Sequence, residues 1–171
     1  MSEQDPILQA CERAQRLIED NAPHHKILTC LVSAAEAITG PRAVASILVL
    51  DNSGLLRNGA SPSLPADFLN AIDRLKPDPN VGTCAAAAAT GSIVITKDFR
   101  SDSKWAELRH LPLALGFVGA WSMPIKSSTG KVLGTFGMYH RDIREPTPKE
   151  LTAVGQLAAI AARALEKMSS Q

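Results

Sequence analysis

The sequence predicts an α+β sandwich, and three observations predict it. The hydrophobic period is helical over roughly the first forty residues, becomes strand-like from Ala43, and is helical again after Thr147. Two turn sequences, Asp51-Asn52-Ser53-Gly54 and Ser127-Ser128-Thr129-Gly130, each separate β-prone runs and therefore demand antiparallel hairpins. Helices at both ends of the chain can then cover one face of the resulting sheet.

The first helix spans residues 5–20. Asp5 is its cap and Pro6 its first helical residue, while Ile7, Cys11, Ala14 and Ile18 make an apolar stripe. Asn21-Ala22-Pro23 breaks it. A second helix runs from His24 to Thr39 on Ile27, Leu28, Leu31, Val32, Ala35 and Ile38, and Gly40-Pro41 stops it. The run Ala43–Leu50 is apolar on both faces, as a central strand covered on both sides must be. Leu55–Ser61 is its returning partner. A short helix is expected over Ala66–Leu75, then a rigid loop, Lys76-Pro77-Asp78-Pro79-Asn80.

Val81–Ile95 reads as a turn at Gly82, an alanine helix capped by Thr83, a stop at Gly91 and a strand reaching Thr96. The first N–H groups of such a helix have no acceptor within it and favour an anion. Lys97–Asp102 is polar loop, and Ser103–Leu115 is helical with an interruption at Pro112. Phe117–Ile125 is a strand with Phe117, Trp121, Met123 and Ile125 on one face, and Pro124 marks an edge or bulge. Lys131–Tyr139 returns. Thr147-Pro148-Lys149-Glu150 is a capping box opening a last helix with Leu151, Val154, Ala158, Ala161, Leu165 and Met168 on its stripe.

Composition narrows the function. One domain is expected over residues 1–171, with an N-terminal helix to 22, a core over 23–146 and a C-terminal helix from 147. Hydrophobic residues at 45% and a formal charge of +1, from scattered lysines and arginines, give no basic field for nucleic acid or anionic membrane. No apolar run is long enough to span a bilayer, and the acidic start Met1–Asp5 is unlike a signal peptide, so a cytoplasmic protein is expected. Cys11, Cys30 and Cys84 are far apart in sequence and suggest neither a disulfide framework nor a zinc knuckle. His24-His25 and His140 lack metal-ligand spacing and read as surface residues. No metal or cofactor is expected.

The order of elements carries particular words: Asn58–Pro65, Val81-Gly82-Thr83-Cys84-Ala85, Asp98–Trp105, Gly116–Ile125 and Gly130–Tyr139. Together they resemble the GAF domain, in its bacterial signalling subtype, from about His24 to Lys167. The resemblance implies a central antiparallel sheet of five to six strands, terminal helices on one face, and a ligand pocket of loops and short helices on the other. It also implies a homodimer through the terminal helices. The ligand-binding positions it carries onto this chain are Ala60, Ser61, Gly82, Thr83, Cys84, Ala85, Asp98, Trp105 and Trp121.

Family members bind cyclic nucleotides, tetrapyrroles, small anions or metabolites. The asparagine, lysine, phenylalanine and aspartate signature of cyclic-nucleotide binders is missing here. A bilin would need a cysteine near His110, and the spacing from His110 to Met123-Pro124 is longer than in haem-binding members. Stand-alone members of this size include nitrate receptors, so a nitrate-like ion or small carboxylate is the expected ligand class. A helix N-terminus and an indole N–H suit such an oxyanion without a positive side chain. The expectation is a non-catalytic sensor that signals to a partner such as a histidine kinase or regulator. The alternatives are a ligand-free dimerisation module and a GAF-fold reductase of free methionine sulfoxide. The reductase would use Cys84, but the family's other redox cysteines belong before Gly116–Ile125, and this chain has none there.

Overall fold

A computed structural model describes residues 5–169, with side chains to Lys167. The sheet has five strands: β1 (Ala43–Leu50), β2 (Leu56–Ala60), β3 (Val94–Thr96), β4 (Gly119–Lys126) and β5 (Val132–His140). Their order is β2-β1-β5-β4-β3 and every pairing is antiparallel. The terminal helices α1 (Pro6–Glu19), α2 (His24–Thr39) and α6 (Pro148–Ser169) form one layer. On the other side lie the short helices α3 (Ala66–Ala71), α4 (Cys84–Thr90) and α5 (His110–Ala114). The predicted α+β architecture and its layering are observed.

The ends of the long helices follow the chemistry of their caps. The Asp5 carboxylate accepts the Ile7 N–H at 2.9 Å, with Pro6 at the first position. At α6 the Thr147 N–H donates to Glu150 and the Glu150 N–H to the Thr147 hydroxyl, completing the capping box. Arg144 adds an ion pair to Glu150. The buried stripe of α1 is Ile7, Ala10, Ala14 and Ile18; Cys11, expected on it, is half-buried beside it. Of the α6 stripe, Val154, Ala158, Ala161 and Leu165 are buried, and the Met168 side chain lies outside those described.

Short elements depart more from expectation. The helix expected over Ala66–Leu75 ends at Ala71, because the chain turns at Arg74 (φ 64°) and Leu75 pairs with Leu56 instead. Thr83 has helical backbone angles and its hydroxyl makes no capping bond. Ser103–Leu115 divides into a 3-10 turn, Ser103–Trp105, and α5, which takes Pro112 in its first turn where a missing N–H costs nothing. β4 begins at Gly119, so Phe117 stands before it and outside its alternation. Pro124 sits beyond Val94↔Ser122, the last pairing with β3, where that side of β4 has no partner strand.

Two apolar clusters result. One lies between the sheet and the terminal helices and includes Leu28, Leu31, Ile47, Trp121, Phe136, Met138 and Leu157. The other fills the space under the short helices and includes Leu48, Phe68, Phe99, Trp105, Phe117 and Tyr139.

Candidate functional site

Alternation along the strands decides what each face of the sheet can do. On β5, Phe136 and Met138 point to the terminal helices, so Thr135, Gly137 and Tyr139 point the other way. On β4, Trp121 and Ile125 join the helix side, leaving Ala120 and Ser122 for the opposite one. α4 lies directly on this second face. Gly137 permits that approach, because a Cβ there would sit 3.1 Å from the Cys84 Sγ and 3.2 Å from the Ser122 Oγ. The loop before α4 turns at Gly82 (φ +60°), whose N–H donates to the Lys104 carbonyl at 2.8 Å. That bond sets the indole of Trp105 beside Gly82, 3.8 Å from where a Cβ would stand.

A polar centre sits where α4 meets the sheet. The Cys84 thiol and the Ser122 hydroxyl share a hydrogen bond at 2.9 Å. Cys84 is 6% exposed and Ser122 0%. Burial pushes the Cys84 thiol up, while the Ser122, Thr135 and Thr83 hydroxyls pull it back. Across Gly137, Ser46 bonds Ser61 at 2.6 Å, and the Ser61 hydroxyl donates to Asn58 at 2.7 Å. Three further buried atoms on this face have no partner of good geometry: Thr83 Oγ1, Thr135 Oγ1 and Trp105 Nε1. Each such orphan costs about 1–3 kcal/mol.

Aromatic rings enclose the centre. Trp105 meets Phe99 edge-on at 4.4 Å between centroids, and Phe68 and Phe117 each pack on Tyr139 at 5.6 Å. Burial, and then Cys84, hold the Tyr139 phenol well above its ordinary range. Arg141 closes the outer end, its guanidinium stacked 4.4 Å over Phe117 and its Nη1 donating to the Leu115 carbonyl at 2.6 Å.

The structure thus brings together Gly82, Thr83, Cys84, Ala85 and Trp105, with Ser61 in the adjoining hydroxyl chain. Ala60 faces the terminal helices instead, opposite Ile47 of β1. Trp121 does too: it is 0% exposed and packed in the helix-side cluster, because its strand position shares a face with Ile125. Phe117, expected beside Trp121, belongs to the aromatic wall. Asp98 stays in its own turn, where Arg100 holds the carboxylate at 2.9 Å from both Nε and Nη2 and keeps its pKa low.

Ser122, Thr135, Gly137 and Tyr139 were not among the expected site residues. Their signal in the sequence is a small or hydroxyl side chain at alternate positions of strands that are otherwise apolar. His140, expected at the surface, is 2% exposed at the end of β5. Burial and then Arg144 lower its pKa to about 4, and its Nε2 has no partner. His25 and His110 are exposed and His24 is half-buried. No group of three or more His, Cys, Asp or Glu side chains among the described residues could hold a metal ion. Nor is any described helix long and apolar enough to cross a membrane.

Residues 21–166 match the profile of the GAF domain family. The chain is 31% identical over 169 residues to the methyl sulfide methyltransferase-associated sensor of Methanosarcina acetivorans. That match takes in 98% of this chain but only 17% of the relative's length. Among solved structures, the fold resembles the GAF domain of a Coxiella burnetii phosphoenolpyruvate-protein phosphotransferase, with TM-score 0.76 and 15% identity over 96% of this chain and 95% of that one. It also resembles the free methionine-R-sulfoxide reductase of Neisseria meningitidis, solved with its substrate, with TM-score 0.71 and 16% identity over 99% of this chain and 96% of that one. With the profile covering most of its length and the sheet layered as described, this chain belongs to the GAF domain family.

Proposed function

We propose that this chain is a sensory GAF domain that binds a small polar or anionic molecule, a nitrate-like ion or a small carboxylate, on the short-helix side of its sheet. One observation carries the reading: Thr83 Oγ1, Thr135 Oγ1 and Trp105 Nε1 are buried with no hydrogen bond of good geometry, the two hydroxyls beside the Cys84 thiol, on the face that also holds the Cys84–Ser122 pair. Hydroxyls and an indole N–H can all donate to an oxyanion, and the free N–H groups at the start of α4 add to them. The proposed contacts are Ser61, Gly82, Thr83, Cys84, Ala85 and Trp105, joined by Ser122 and Thr135.

Occupancy would draw α4 and the Ser103–Trp105 turn together, and the sheet would pass the shift to α1, α2 and α6. Those helices are the proposed homodimer surface and the output to a partner such as a histidine kinase or regulator in the cytoplasm. The sensor name of the Methanosarcina relative supports this role.

A reductase of free methionine sulfoxide is the competing reading, favoured by a thiol on the ligand side of the same fold. Cys84 argues against it, since burial raises its pKa and a neutral thiol is a poor nucleophile. Cys11 and Cys30 stand on α1 and α2, across the sheet, where neither faces Cys84.

A thermal-shift panel tests the proposal. Nitrate, nitrite or a simple carboxylate at millimolar concentration is expected to raise Tm by several degrees, and Trp105→Phe to abolish the rise. If no member of the panel moves Tm, the anion reading fails and a dimerisation module takes its place. Turnover of free methionine sulfoxide with a thiol reductant, lost in Cys84→Ser, would replace the sensor by the enzyme.

A further inference from the structure

The terminal helices bring two thiols to one interface. Cys11 lies on α1 and Cys30 on α2, and these helices pack against each other. The Cys30 Sγ is 4.0 Å from the carbonyl oxygen of Ala10, the residue that precedes Cys11. Both side chains are half-buried at the margin of the helix-side core. Cys11 also lines an open groove of about 360 Å³ with Gln15, Ile160 and Arg163, so a small oxidant reaches it from solvent.

We propose that Cys11 and Cys30 are an oxidisable pair that closes an intramolecular disulfide between α1 and α2. A hydroperoxide supplies the oxidising equivalents. The Cys11 thiolate attacks the hydroxyl oxygen of the peroxide and the O–O bond breaks, giving a sulfenic acid and releasing the other oxygen as hydroxide or alkoxide, which takes up the Cys11 proton as water or alcohol. The Cys30 thiolate then attacks the Cys11 sulfur, the S–S bond forms, and hydroxide leaves to take up the Cys30 proton as water. Two thiols and one hydroperoxide become one disulfide, one water and one water or alcohol.

Several features shape the reaction. Burial, Asp5 and Cys30 push the Cys11 thiol up and Arg163 pulls it down, so thiolate is scarce at neutral pH and oxidation is slow. Bond closure asks for Cα atoms within roughly 7 Å, which makes the experiment a direct test of how α1 and α2 approach. Cys84 takes no part, being buried on the other side of the sheet. The disulfide would fix α1 to α2 whatever the short-helix side has bound, so this inference does not depend on the proposed ligand.

Peptide mapping of the full native chain after hydrogen peroxide, without reduction, decides the matter. Trypsin places Cys11 in residues 1–13, Cys30 in residues 27–42 and Cys84 in residues 75–97. The expected product is peptide 1–13 joined to 27–42, about 2 Da lighter than their sum and separated again by dithiothreitol, with 75–97 still a thiol. The oxidised chain should melt a few degrees higher. Cys11→Ser and Cys30→Ser should each abolish the linked peptide and the shift. Peptides that stay separate, or that carry only sulfinic acid, overturn the proposal. So does a Cys11–Cys11 link between two chains. Should a serine variant fail to fold, the map of the native chain decides alone.

Discussion

The two faces of one sheet are built from the same strands and do opposite things with their polar atoms. Toward α1, α2 and α6 the strands present Ala45, Ile47, Trp121, Ile125, Phe136 and Met138, and the partners are aliphatic. Toward the short helices they present Ser46, Ser122, Thr135, Gly137 and Tyr139, and a thiol is laid against them. Buried orphans occur on both sides, but not in the same way. Trp121 Nε1 and His140 Nε2 belong to diagonally neighbouring helix-side positions, Trp121 opposite Met138 and His140 two residues further along β5. Thr83 and Thr135 lie beside the Cys84 thiol, and Trp105 stands against Gly82, two residues before Cys84. The helix-side pair are single ring nitrogens on side chains packed as structure, whereas on the short-helix side hydroxyls, a thiol and an indole share one face, as on a surface prepared for something else. The helix side reads as structure, the short-helix side as a site.

The largest expected effect breaks the comparison on the structural side. Trp121→Ala empties the middle of the helix-side cluster and should lower stability by about 3–5 kcal/mol in urea unfolding. That is a large share of the roughly 5–15 kcal/mol by which a domain of ordinary stability is held. A loss below about 1 kcal/mol would mean that Trp121 is not packed as described.

The second effect is a pH dependence. His140 has a folded pKa of about 4, below its ordinary value of 6.5. The unfolded chain therefore binds a proton that the fold refuses, and the unfolded state gains as the solution is acidified. Stability is fully present above pH 6.5, falls as pH drops, and the loss is complete below about pH 4. The total is on the order of 3 kcal/mol. Carboxylates held low by partners, such as Asp98 beside Arg100 and Asp142 beside Arg42, act only below the ordinary carboxylate value of 3.8. Urea midpoints between pH 7 and pH 4.5 consequently isolate the histidine. In His140→Leu the slope across that window should flatten; an unchanged slope would assign the proton to another group.

How much of this the sequence showed depends on what each residue has to announce. Long helices declare themselves through period and caps, and Pro6, Gly40 and the Thr147–Glu150 box bound them in the structure as in the reading. That Ala43–Leu50 is an interior strand was legible because a run apolar but for Ser46 has no other home, though the centre of the sheet is held by β5, with β1 beside it. Face assignment was not legible. Alternation groups Trp121, Met123 and Ile125 on one face of β4 but does not say which layer that face meets, so Trp121 was assigned to the wrong one. Phe117 was drawn into the strand by the apolar residues around it. His140 looked like surface because it is ionisable, yet it is buried at the end of β5, near Arg144 and near Glu150 at the start of α6. At the site, Gly82–Ala85 and Trp105 stood in a recognisable order along the chain. Thr135, Gly137 and Ser122 join them only through the register of β5 with β4, where Gly137 stands opposite Ser122.

The smallest effect is the one that sharpens the comparison most. Thr135→Val keeps the side chain's shape and β-branching while removing a hydroxyl that is buried at 0% exposure beside the Cys84 thiol with no hydrogen bond of good geometry. Were this face ordinary core, a buried hydroxyl would have a partner and its loss would destabilise by about 1 kcal/mol. For a site waiting on a ligand the sign reverses. The unliganded variant should be as stable as the parent or more stable by up to about 1 kcal/mol, because the desolvation cost of an orphan disappears. The response to the anion panel should shrink at the same time, since one donor to the ligand is gone. Thermal unfolding of both proteins with and without the best anion reads both quantities. Loss of stability with an unchanged ligand response would return Thr135 to the core and leave Trp105 and Thr83 to carry the site alone.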